Sequence, residues 1–533
     1  MAELKRFRIR LCAVASAALL AASAVIASPA RAQDKGLQGS TGEDQSVDLK
    51  TAPEMTAAPR PANLAINRPT VPFANYVAAK NAAAARAPGK AKPGPVAPPS
   101  TTDVSLVVQS GTVNQSQSCC FPPDGDIATS ASWMVQTVND QLVMFNWNTN
   151  AYVQKSFATF FQDNAYFLFD PRVLYDPYFD RFIVVADGCL TGTCNNTTTN
   201  VSRFDLAVSQ TGDPTGNWYI YKLGVGTNAG DFADFPQMGI DLNSLIFTYN
   251  DFLGNGSFDS RVFSLNKALM YSGRGTGFTV FGGGTCTIAP PLVLDNNGVD
   301  YIMQFCPNDS FVSIGSLTDT GLTTAAVHMV DNTVDVDLFG VPPNAPQPGT
   351  TYDLDTGDNR FENRSLQVGS RIINTATITG GTSFAIPAYY NFDIGVSPHT
   401  FVSDGDFFAS ETSYDWHPSL VANTVAAPTG TPLGEVFVTW MSTDIATNLQ
   451  LRAGGWIGDS GFTNGVPVVT SAIPLTGQTD SMGRHLTGNY SYITTYPAPA
   501  FGCQAGEIGL LEGETSGPAA GTWGTHVGIV KHC

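Results

Sequence analysis

A repeated strand-turn-strand unit constrains this chain more than any other feature. Residues 171–187 read PRVLYDPYFDRFIVVAD, two apolar runs around the turn-prone segment DPYFD. The same grammar returns in PQMGIDLNSLIFTYND from 236 and PPLVLDNNGVDYIMQF from 290. Looser copies are ENRSLQVGSRIINTATI from 362, HPSLVANT with GEVFVTW from 417, NYSYITTY with GEIGLLE from 489, and DIATSASWMVQTVNDQLVMFNW from 126. Successive copies start roughly 45 to 73 residues apart, the spacing of propeller blades with loop insertions. Two further strand-like runs fill the gaps: in the unit quoted first, strands are expected at 171–175, 181–187, 203–209 and 217–223. The expectation is an all-β chain folded as a seven-bladed β-propeller, with a six-bladed ring as the alternative count. A two-sheet sandwich leaves the repeat unexplained. The run DVSLVVQS near 103–110 is placed to pair with the last blade, which hides both sheet edges.

Around that body the chain divides into three parts. Residues 1–32 read as a bacterial-type signal peptide: Lys5, Arg6, Arg8 and Arg10, then LCAVASAALLAASAVIA, then Ala30-Arg31-Ala32 before the expected cut. Residues 33–100 are rich in Ala and Pro and read as a disordered tail or linker, although a short helix fits around 75–86. Residues 101–533 are the propeller domain. No second apolar span follows the signal, so no transmembrane segment is expected after cleavage, and the protein reads as secreted or periplasmic. Cysteine usage agrees, since eight cysteines remain once Cys12 leaves with the signal. Cys286 with Cys306 and Cys503 with Cys533 are the expected pairs. Cys119, Cys120, Cys189 and Cys194 form the other two bridges in an order left open.

Charge excludes one class of partner. Residues 101–533 hold 14 Lys and Arg against 39 Asp and Glu, a balance of −25. Residues 33–100 hold 8 against 5, a balance of +3. So acidic a body repels phosphate backbones, and nucleic acid is not an expected ligand.

One turn carries a resemblance. Thr211-Gly212-Asp213-Pro214-Thr215-Gly216-Asn217-Trp218 resembles the Asp-box of sialidase-like (BNR) propellers, in which an Asp precedes a turn glycine and a Trp five residues on. The Gly sits one place late here. The box implies structure rather than chemistry, its Asp capping the turn and its Trp packing between sheets. More widely, DPRVLYDPYFDRFIVVA, SQTGDPTGNWYIY, DFPQMGID, LDTGDNRFENR and GNYSYITTYP resemble a family of secreted bacterial β-propellers, mostly of unassigned function. This chain departs from that pattern at Phe182, Phe235 and Asn489.

The repeat also says where a site belongs. First strands of propeller blades begin around the central channel, so ionisable residues at those starts converge on one mouth. Asp126, Arg172, Gln237, Arg364, Trp416, His417, Arg484 and Asn489 are the expected ligand-binding set, with a glycan or extracellular protein as the ligand. A glycoside hydrolase is the rival reading, with Asp170, Asp234 and Tyr490 as its catalytic candidates. A sialidase-like enzyme would use Arg172, Arg364 and Arg484 on a substrate carboxylate and a tyrosine nucleophile. No Arg-Ile-Pro motif stands at the first blade, and two carboxylates could act instead. Asp353, Asp355 and Asp358 in a Gly-containing loop have the hard oxygen ligands that suit calcium. No other cofactor is expected.

Overall fold

Six of the seven expected hairpins are present as the opening of a four-stranded antiparallel meander; the copy from 290 differs, because Ile288–Ala289 rather than Pro291–Val293 pairs with Asp300–Gln304. In the computed structural model the described residues are 37–41, 45–60, 73–85, 104–190, 194, 202–226, 228, 230–295, 298–307, 309–337, 340–379, 383–423, 433–457, 465–477, 479, 485–488 and 490–533. They lie in the unit Lys35–Cys533; the unit Met1–Asp34, with the expected signal and its cut, falls outside them.

The first meander is Asp126–Thr129, Trp133–Val138, Gln141–Asn146 and Tyr152–Ser156. Next come Tyr166–Asp176, Arg181–Leu190, Arg203–Ser209 and Asn217–Gly224, close to the strands expected from sequence. The third is Phe232–Ile240, Ser244–Phe252, Phe258–Asn266 and Gly277–Gly284. After it Ile288–Ala289 pairs with Asp300–Gln304, followed by Phe311–Thr318 and Ala326–Asp335. The remaining meanders begin at Ser365–Val368, Tyr414–Ala422 and Tyr492–Thr495. The last of them takes its outer strand, Ser105–Asn114, from the far end of the chain, with Ser105 opposite Lys531 and Asn114 opposite Gly524. This is the closure anticipated for the run near 103–110.

Inner strands touch in a closed cycle around the ring, with Pro291–Val293 taking the inner place beside the fourth meander, and Tyr492–Thr495 returns to Asp126–Thr129. At one point they hydrogen-bond directly. Pro291–Val293 pairs in parallel with both neighbours, through Ile240–Leu292 and Leu292–Leu366. Apolar clusters fill every gap around the cycle. Val135 and Leu142 meet Val184 and Trp218, Phe204 meets Phe247, and the last gap packs Leu510 and Ile529 on Ile127 and Met134. Strands buried on both faces explain runs such as FIVVA, which do not alternate. The result is a nearly all-β, propeller-like ring and not a two-sheet sandwich.

The Ala/Pro-rich segment matches expectation in its helix and departs from it in two short strands. Leu37–Ser40 adds a strand to the outer edge of the third meander, and Gln45–Asp48 adds one to the second. Phe73–Ala84 is a helix, near the expected 75–86, and buries Tyr76 and Lys80. These residues are packed onto the ring rather than left as a free tail, because the ring offers them unpaired edges and buried carboxylates. The cysteines pair as Cys119–Cys120, Cys189–Cys194, Cys286–Cys306 and Cys503–Cys533. Among the described residues no helix is long and apolar enough to cross a membrane.

Candidate functional site

The mouth of the ring is built by a recurring kink in its first strands. In the second meander the register slips between Phe169 and Arg172, in the third between Asp234 and Gln237, and in the sixth between Trp416 and Ser419. Each slip holds a left-handed residue followed by proline: Asp170 (φ 45°) before Pro171, Phe235 (φ 59°) before Pro236, and His417 (φ 50°) before Pro418. Proline lacks a ladder donor and is tolerated at a bulge, where the bend re-aims the neighbouring side chains. Asp124 (φ 45°) takes the same conformation ahead of Gly125. The hairpin copies from 171, 236 and 290 each open on proline and the copy from 417 has it second, so the bulge signal was present in the repeat.

Much of what converges is consumed by contacts across the channel. Asp126, fully buried, accepts from both terminal nitrogens of Arg364 at 3.3 Å and from the Val173 amide at 3.0 Å. Burial still leaves the Asp126 carboxyl above its ordinary range. Arg172 is also fully buried, and its guanidinium carbon lies 3.7 Å from the centre of the Tyr490 ring and 5.6 Å from that of Tyr492. It donates to the Pro171 carbonyl at 2.7 Å, while its Nε and Nη2 find no hydrogen-bond partner. Gln237 donates to the Glu362 carbonyl at 2.9 Å, and Glu362 holds His417 Nδ1 at 2.8 Å. Burial raises the Glu362 carboxyl against the opposing effect of that histidine. These links tie strands that are remote along the ring, and they serve as its axle.

At the rim of this axle lies a group of carboxylates. Asn139 donates to Asp124 at 2.9 Å and accepts from the Asp170 amide at 2.8 Å. Burial, then the neighbouring charges of Asp124 and Asp234, push Asp170 well above the ordinary carboxyl range. Asp187, opposite Phe169 in the second strand, is raised by burial and then by Asp234 and Asp170. Asp234 caps its own bulge through the Phe235 amide at 2.9 Å.

Several residues expected at the site are deeply buried or already partnered. Trp416 is fully buried beside Trp523 and Leu486 and forms no wall for a ligand. Tyr490 is buried with a hydroxyl that has no hydrogen-bond partner, and burial lifts its pKa well above the usual phenol value. A tyrosine nucleophile needs the reverse, a base within reach and an accessible oxygen. Arg172 and Arg364 are held in the axle and do not jointly face an open space; Arg484 and Asn489 lie outside the described residues.

The calcium loop is likewise occupied by the chain's own cations. Asp355 accepts from Tyr76 at 3.1 Å and pairs with Lys80 at 3.4 Å, while Asp358 is chelated by Arg360 at 2.7 Å. Burial opposes ionisation of Asp358, but Arg360 outweighs it and holds the carboxyl below its ordinary range. Asp353 does not join them in a ligand set. Among the described residues the one trio with ligand atoms mutually close enough for a metal is Cys503, Glu507 and Cys533, whose cysteines are joined as a disulfide.

The Asp-box turn behaves as structure. Asp213 accepts from the Thr215 amide at 2.9 Å, and buried Trp218 donates to the Pro214 carbonyl at 2.8 Å.

No family model matches this chain, and no curated protein matches it. Among solved structures it is similar to a subtype N11 neuraminidase-like protein of A/flat-faced bat/Peru/033/2010, at 9% identity and TM-score 0.35 over 69% of this chain and 98% of that one. It is similar to a Hadza microbial sialidase at 10% identity and TM-score 0.35, over 62% of this chain and 65% of that one. A third likeness, to an exo-β-1,3-galactanase from Phanerochaete chrysosporium, covers 81% and 99% of the two chains at 11% identity and TM-score 0.29. Likenesses this distant carry no argument about chemistry.

Proposed function

We propose that this chain is a secreted or periplasmic seven-bladed β-propeller that binds an extracellular ligand at the rim of its channel. The observation that carries the reading is the convergence of Asp124, Asp170, Asp187 and Asp234 beside an axle in which Asp126 pairs with Arg364 and Arg172 packs on Tyr490. Binding is favoured over catalysis because Tyr490 is buried without a base and Arg172 and Arg364 are engaged elsewhere. Among the described mouth residues there is no exposed aromatic platform for a sugar ring, since Trp416, Tyr490 and Tyr492 are all buried. A protein ligand therefore suits the rim better than a glycan.

The test is to probe the full chain against arrays of glycans and of cationic and neutral peptides, then repeat with the D170N/D234N double variant. Binding should fall at least tenfold in the variant, and no sugar should be released from any glycan that binds. Full binding by the variant would place the site elsewhere. Glycan cleavage that depends on Asp170 or Asp234 would replace this reading with the glycoside hydrolase.

A further inference from the structure

The N-terminal segment reaches the same rim. Its course is pinned first by Gln45–Asp48 on the edge of the second meander, then by Glu54, which accepts from Thr159 at 3.1 Å and pairs with Lys155. Ala58 is then buried in a cluster with Cys120, Phe167, Phe169 and Phe232. Those neighbours sit directly ahead of the rim carboxylates: Phe169 precedes Asp170, Phe232 lies two residues before Asp234, and Cys120 four before Asp124. Arg60 lies two residues past Ala58 and is half-buried; burial lowers its pKa, and the charges of Asp124 and Asp170 oppose that lowering. A second anchor lies near His417. Tyr76 and Lys80 of the helix bind the loop at Asp355–Gly357, and the Asp355 carbonyl accepts from Thr487, whose hydroxyl is 3.4 Å from His417 Nε2.

Two observations point to a cationic ligand at this rim. One is that an arginine from outside the ring already lies against it. The other is Asp187, fully buried opposite Phe169, whose Oδ2 has no hydrogen-bond partner. Arg172, a ring cation whose charge acts on Asp170, has its guanidinium carbon 3.7 Å from the centre of the Tyr490 ring. The basic balance of residues 33–100 against the acidic body has the same sense.

We propose that the rim recognises a guanidinium or ammonium group carried by a basic protein segment, and that Arg60 is its intramolecular occupant. The inference rests on the binding reading above and adds the ligand's chemistry and a form of self-competition. A tethered occupant acts at an effective concentration on the order of millimolar, so a free ligand binds with an apparent affinity reduced by the fraction of rims left open.

Titrating a fluorescein-labelled hexaarginine peptide into the full chain, at roughly physiological salt where outer-surface charge is screened, tests this. Arg60→Ala should bind at least tenfold more tightly than the wild type, and Arg60→Lys about as weakly as the wild type. The double variant R60A/D170N should lose the gain. Should R60A fold poorly, Y76F/K80M loosens the same segment at its other anchor and should also tighten binding. The proposal is overturned if neither R60A nor Y76F/K80M exceeds the wild type, or if the gain survives D170N, which would assign the peptide to the acidic outer surface. Failure here, with ligand binding still lost in D170N/D234N, leaves the rim as a site and removes only the self-occupant. If no rim variant alters any binding, both readings fall.

Discussion

Arg172 and Tyr490 show how far a residue's type can mislead about its job. Arg172 lies in a first strand and Tyr490 two residues before one, where an arginine and a tyrosine suggest catalysis. Stacked at 3.7 Å and fully buried, they hold one strand of the ring to another instead. The stacking needs the aromatic face, which phenylalanine also has, and not the hydroxyl. A buried hydroxyl without a partner costs about 1–3 kcal/mol. Tyr490→Phe is therefore expected to fold at least as stably as the wild type, with a gain of about 1 kcal/mol in denaturant unfolding, and to bind ligand equally well. Loss of activity or ligand binding in this variant would restore a chemical role for the hydroxyl. Convergence of Asp126, Asp170, Arg172, Asp234, Gln237 and His417 was legible, because every one sits at the same place in a repeated hairpin. Their partners were not. Asp126 and Arg364 are 238 residues apart in the chain, and nothing local in either segment signals the pairing.

At the scale of elements, hairpins were legible because both strands and their turn lie within one stretch of sequence. The strands Leu37–Ser40 and Gln45–Asp48 were not, since each has four residues and no apolar pattern of its own. They form because a meander presents an unpaired outer edge, a tertiary opportunity that local propensity does not report. Val47 shows what holds the second one. It lies opposite Trp218 and is buried with Ile220 and Phe160. Val47→Asp buries a carboxylate without a partner in that cluster, a penalty of about 2–4 kcal/mol, enough to detach a four-residue strand. Amide exchange across Asn217–Ile220 should then quicken at least tenfold while the inner strands keep their protection. Unchanged protection there would mean that the edge strand is held by something other than this contact.

Among the described residues, buried carboxyls outnumber buried cations, and this sets how stability depends on pH. Burial raises Glu512 to about 8, with Gln136 opposing and Asp126 adding to the rise. Asp300 reaches about 9 through burial, helped by Asp241 beside it. Asp170, Asp187 and Glu514 move in the same direction, with burial the first cause in each. A carboxyl raised in the folded state binds its proton more tightly there than in the unfolded chain. Its contribution is complete below the unfolded pKa and is lost as pH climbs through the folded one. For Glu512 that window runs from its unperturbed 4.5 to about 8, and for Asp300 from 3.8 to about 9. Asp163 and Asp358 have the opposite sign, held below their ordinary values by Arg203 and Arg360 despite burial, and their contributions are lost on acidification. Raised groups outnumber lowered ones in the buried interior, so thermal stability should peak at mildly acidic pH and decline steadily towards pH 9. The double variant E512Q/D300N keeps the size of both side chains and removes both titrations. Its melting temperature should fall less than the wild type's between pH 6 and pH 9, with the two proteins closest at the acidic end. A wild-type melting temperature that stays level or rises over that interval would show that these carboxyls reach water or a cation, and that the interior is not the unneutralised acid described here.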